Sequence, residues 1–126
     1  MKTVDLLSVL LYLIALHSML VGIALMAIPI EKLEYFGYHN YQGTFFKIQG
    51  GVFHIVMSGV YILAAINLKR NSLLVYLTLF AKFAATVFLF SYYFFVDPIW
   101  MVAASGAGDL VMGVMILWLF LKLKRT

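Results

Sequence analysis

The chain has 126 residues, of which 65% are hydrophobic and only 11% charged, with a mean hydropathy of +1.04 and a formal net charge of +4. Soluble domains run near 45–50% apolar and about 25% charged, so this composition cannot clothe a soluble core in a polar surface; the solvent it specifies is lipid. Cysteine is absent, which removes disulfides, thiolate metal sites and cysteine nucleophiles.

A bilayer is crossed by about 20 largely apolar residues, and four such runs fill most of the chain. The first, Val4–Ile28, is too long for the core of a cleavable signal peptide and stops at Pro29, so it reads as a retained span. Near its middle His17 sits beside Ser18, with Gly22 one turn further on. An outer-face loop over residues 29–44 follows. Its Glu31–Gly43 stretch, EKLEYFGYHNYQG, carries three tyrosines with Phe36 and His39. That is either an interfacial anchor, the usual role of aromatics at this depth, or a lid over a cavity in the bundle.

The second span, Phe45–Leu68, places Lys47, Gly51, His54, Ser58 and Tyr61 on one helical stripe. Lys47 is close enough to the outer end to reach the interface. In the third, Ser72–Val96, residues Thr78, Lys82 and Thr86 step by four, with Tyr93 further along. The fourth, Pro98–Leu121, puts Pro98 in a first helical turn, where its missing N–H is not needed, and steps through Ser105, Asp109 and Gly113. Small residues there, with Ala104 and Gly108, suit close helix packing.

Short second and third connections predict an all-α, up-down-up-down transmembrane four-helix bundle forming a single domain. Lys2, Lys69, Arg70, Lys122, Lys124 and Arg125 fall on the side of both termini, against Lys32, Glu31, Glu34 and Asp97 on the other. This is the positive-inside bias, so both termini are expected in the cytoplasm. It also accounts for the basic excess without nucleic acid.

One ionisable group lies near the middle of each span: His17, His54, Lys82 and Asp109. At about 1.5 Å rise per residue they share a depth to within roughly 3–4 Å. Each insertion costs about 2.5–3.5 kcal/mol, so such groups face inward and find partners, and by default they mark function. Individually they have plainer readings: an ion pair between Lys82 and Asp109, and neutral histidines bonded to backbone or hydroxyls.

Several chemistries use such a cluster. His17 and His54 could ligate a haem iron or, with Asp109, a metal. A His/Lys/Asp group could relay protons, although four helices of one chain enclose little water. A small lipophilic molecule could seat its polar group there, with His54 or Asp109 as general acid or base and Lys82 as a further catalytic candidate. The last is the reading taken forward: a pocket built from His17, His54, Lys82 and Asp109, lined also by Lys47, Gln49 and Tyr61. It names no cofactor and leaves open whether any reaction is catalysed. The expected partners are membrane lipid and a lipophilic ligand. The competing class is a structural or accessory subunit, a homo-oligomer or part of a larger membrane complex, whose polar residues serve only packing.

The four-span layout, the KIQGGVFH stretch at Lys47–His54 and the GDLVMG stretch at Gly108–Gly113 resemble the DoxX-like group of small four-helix bacterial membrane proteins. That resemblance implies the bacterial inner membrane and an accessory role beside an oxidoreductase, or a small-molecule role. It carries over no catalytic residue.

Overall fold

The protein is represented by a computed structural model that describes residues 2–125. Four long helices, α1 (Thr3–Ala27), α2 (Phe45–Ile66), α3 (Ser72–Phe95) and α4 (Trp100–Arg125), are each long and apolar enough to cross a membrane. A short 3-10 helix, Ile30–Phe36, lies between α1 and α2. There is no strand among the described residues. This is the all-α, four-span architecture of a multi-pass integral membrane protein. The outward-facing residues are mostly apolar, with Leu13, Leu20, Phe80, Val87, Val111 and Trp118 among those exposed.

Helix ends shift slightly from the sequence expectation, for local reasons. Proline restricts the residue before it to extended backbone. Ile28 accordingly has φ −64° and ψ 130°, and α1 ends at Ala27. Asn67 to Asn71 end α2 earlier than expected: Asn71 Nδ2 donates to the Leu63 carbonyl at 2.6 Å and the Arg70 N–H to Asn67 Oδ1 at 3.0 Å. Pro98 precedes α4 rather than opening it, because Asp97 and Ile99 form their own turn (Ile99 N–H to the Asp97 carbonyl, 2.8 Å). At its other end α4 continues past Leu121 to Arg125, with Lys122, Lys124 and Arg125 complementing the C-terminal dipole.

The bundle is two hairpins. α1 packs most closely on α2 and α3 on α4, with lighter α1–α4 and α2–α3 contacts closing the ring. Glycine sets the crossing within each hairpin. A Cβ on Gly22 would stand 2.6 Å from the Gly51 carbonyl oxygen, and one on Gly51 the same distance from that of Gly22. In the second hairpin, Gly106 lies against Leu89 and Phe90, and Gly113 against Lys82 and Phe83. Hydroxyl bonds add to the first: Ser8 Oγ donates to the Ala65 carbonyl at 2.7 Å.

The hydrophobic core cluster is concentrated in one half of the bundle. The termini and the α2–α3 turn share what we term the basic end, and every residue of the hydrophobic core cluster lies in that half, from Leu7–Ala15 on α1 to Ile116–Phe120 on α4. Three turns along a helix returns to nearly the same face, and burial carries over at only some positions. Leu7 and Ser18, Val75 and Thr86, and Gly113 and Val102 are buried in both halves. Ala64 is 0% exposed but Phe53 is 62%, and Ile116 is fully buried while Ser105 is exposed. The buried core therefore thins beyond mid-bundle on parts of α2 and α4.

The 3-10 segment packs on the start of α4 at the opposite end. Leu33 is buried, and Phe36 stands 6.2 Å from the Trp100 ring. Gly37 has φ +89°, and a Cβ there would reach 2.9 Å from Trp100, so only glycine both turns and fits. Tyr38 is half-buried against Tyr41, while Tyr35 stays exposed.

Gly51→Val should lower stability by roughly 1–3 kcal/mol through overpacking, read as a lower melting temperature in detergent, whereas Gly59→Ala, with open space at its Cβ, should leave it unchanged. Burial pushes the Tyr38 phenol up from its ordinary value of 10.0, with Tyr41 and Tyr92 adding to the shift. A raised folded value means that the loop's stabilisation is complete below about pH 10 and is lost as pH climbs through the folded value. Trp100 fluorescence in a Trp118→Phe background should report that loosening, and Tyr38→Phe should abolish it.

Candidate functional site

Of the seven residues expected to line a pocket, four come together where the core stops. Lys82 Nζ donates to Asp109 Oδ1 at 2.7 Å, joining α3 to α4, with side chains only 7% and 18% exposed. The same ammonium sits 5.3 Å from the centre of the Tyr61 ring on α2. Lys82 thus has a carboxylate on one partner helix and an aromatic face on another, and this cation–π contact crosses from one hairpin to the other. His54 completes the group from α2, close enough to Lys82 and Asp109 to interact electrostatically.

The His54 tautomer follows from its neighbour. Ser18 Oγ lies 2.8 Å from the His54 carbonyl oxygen and 3.3 Å from Nδ1. A serine hydroxyl has one proton, and the shorter contact takes it. Nδ1–H then donates to Oγ, and Nε2 is left as a bare acceptor. The sequence placed His17 in the pocket, but Ser18 is the α1 residue that faces α2: Ser18 is buried and His17 exposed on the helix shoulder, though still within electrostatic reach of His54.

The remaining expected residues have other positions. Lys47 is buried and donates to the carbonyls of Leu25 at 2.9 Å and Met26 at 3.0 Å. Those are among the final carbonyls of α1, which have no intrahelical partner, so the lysine caps a neighbouring helix instead of lining a pocket or reaching water. Gln49 is exposed. On α4, Ser105 and Ala104 are exposed and Gly108 meets nothing at its Cβ, so Gly106 joins Gly113 as the packing position. The hydroxyls of the polar stripes are satisfied locally: Ser58 with the Ile55 carbonyl, Thr78 with that of Leu74 and Thr86 with that of Lys82.

Three polar atoms of the cluster have no hydrogen-bond partner among the described residues: His54 Nε2, the second Asp109 oxygen and the Tyr61 hydroxyl. Since no fully buried side-chain nitrogen or oxygen there lacks a partner, these three are reachable from outside the packed atoms. Two hollows of about 270 and 410 Å³ lie at the basic end. No set of three metal-ligating His, Asp or Glu side chains assembles among the described residues, so His17, His54 and Asp109 do not form a metal centre.

Comparison of the chain with protein-family models, with curated proteins and with solved structures returns no match in any of the three. The functional reading therefore rests on the geometry.

Removing one member of the buried pair strands the other's charge, which costs about 3–5 kcal/mol, whereas replacing both by apolar groups is often neutral. Lys82→Met should accordingly destabilise strongly and Lys82→Met/Asp109→Leu should recover most of the loss, as measured by reversible unfolding in mixed micelles.

Proposed function

We propose that the chain binds a small lipophilic molecule between its two hairpins, with the molecule's polar group seated on Tyr61, His54, Lys82 and Asp109. One observation carries the reading: the hydrophobic core ends at the depth where these groups gather, and three of their polar atoms are left reachable and unpartnered. A hydroxyl donor on Tyr61 and acceptors on His54 and Asp109 suit a carbonyl, hydroxyl or amide on an otherwise apolar body. Apolar walls and a few convergent polar groups are what such sites consist of, and bundles form them between facing helices. Turnover, if the bound molecule reacts, would use His54 Nε2 as the proton acceptor.

The setting we propose is the bacterial inner membrane, with both termini in the cytoplasm. The charge bias supports the orientation; the KIQGGVFH and GDLVMG stretches support a place beside the DoxX-like group and an accessory or small-molecule role there.

Benzophenone is a suitable probe, being a lipophilic ketone that inserts into nearby C–H bonds on irradiation. In the purified protein, attachment should concentrate on peptides carrying His54 and Asp109 and fall when unlabelled fluorenone is added in excess. Attachment spread evenly over outward residues such as Phe80 and Val111, with no competition, would mean that the cluster serves packing alone.

A further inference from the structure

We propose that the basic end holds a second, separate site, which binds one anionic phospholipid of the surrounding bilayer in the hollow between the α2–α3 turn and the last turns of α4. The hollow has a volume of about 410 Å³ and is lined by Leu68, Lys69, Ser72, Phe120, Leu123 and Lys124. That volume falls in the range of small-ligand sites. It suits a phosphate with its glycerol carbons, the acyl chains running out along the lipid-facing helices.

The lining matches that chemistry. Leu68 and Phe120 form an apolar wall and are nearly fully buried. Two ammonium groups and the Ser72 hydroxyl provide donors for phosphate oxygens. Lys124 is held in place, hydrogen-bonded to the Tyr76 hydroxyl and lying over the Tyr76 and Phe120 rings at 4.7 and 5.0 Å. Lys69 has no hydrogen bond, ion pair or ring partner among the described residues, so its charge is free for a ligand.

The electrostatics of this end point the same way. Arg70, Lys122 and Arg125 add further positive charge to this end without lining the hollow. The one acid at this end, Asp5, accepts from the Lys2 backbone N–H at 3.2 Å and lies in the neighbouring hollow. With no carboxylate in its lining, the larger hollow leaves its lysines to an outside anion. It also opens at the ends of four membrane-spanning helices, the level at which bilayer phosphates lie.

Native mass spectrometry of the detergent-solubilised protein, titrated with phosphatidylglycerol or phosphatidylcholine of identical chains, tests this directly. One phosphatidylglycerol should bind about thirtyfold more tightly than phosphatidylcholine, as two near-surface lysines provide. Lys69→Gln/Lys124→Gln should erase that preference. Lys2→Gln/Lys122→Gln removes the same net charge outside the hollow and should retain it. The site does not exist as proposed if the unmodified protein binds both lipids equally or if both double variants lose the preference alike. It also fails if millimolar inorganic phosphate displaces the lipid, which would make the hollow a general anion site.

Discussion

Every helix–helix contact in this protein has to compete with lipid, and lipid is as apolar as leucine. Burying side chains against each other therefore yields little, and association falls to close backbone approach and polar ties. The structure shows both devices. Gly22 and Gly51 bring α1 and α2 within reach of each other's carbonyls, and Gly106 and Gly113 do the same for α4 against α3. Lys47, Ser8 and Ser18 tie the first hairpin, and the Lys82–Asp109 pair ties the second. Each hairpin is thus held along its length.

Between the hairpins the ties are fewer. Leucine, isoleucine and alanine fill the basic half, where the side chains are dry on all sides. Beyond mid-bundle the register continues through buried Ser18, Thr86 and Val102, while Phe46, Phe53 and Ser105 are exposed. The contact of Lys82 with Tyr61 marks the boundary. It is a contact from one hairpin to the other at the end of the core cluster, so the most polar point of the interior coincides with the edge of that core. That coincidence makes the cluster both a mechanical joint and an accessible surface.

Much of the architecture was legible in the sequence because lipid imposes coarse rules. Span length, proline and asparagine breaks and the distribution of lysine and arginine locate four helices to within a few residues. Inward stripes were also readable where small and polar residues repeat at helical spacing, as in Gly51–Ser58–Tyr61 and Thr78–Lys82–Thr86. The failures came from residues whose position depends on a partner. Lys47 reads as snorkelling until the bare carbonyls of Leu25 and Met26 are placed beside it. His17 and Ser18 are adjacent, and only the run Leu7, Leu11, Ser18, Gly22, which continues the buried stripe, favours Ser18. Ser105 shares a face with Ile116, and nothing local to α4 reveals that it is exposed while Ile116 is buried.

The Lys47 cap has a consequence for how the chain is oriented. Lysine near the end of a span ordinarily acts as a mobile positive charge that resists translocation. Here its ammonium is enclosed by two carbonyl oxygens at the negative end of the α1 dipole, so its field is absorbed within the hairpin before it meets the bilayer surface. The far end of the protein then presents less positive charge than its sequence suggests, since the helix end offsets about half of it. The contrast between its two ends is sharper than a count of residues along the chain would give.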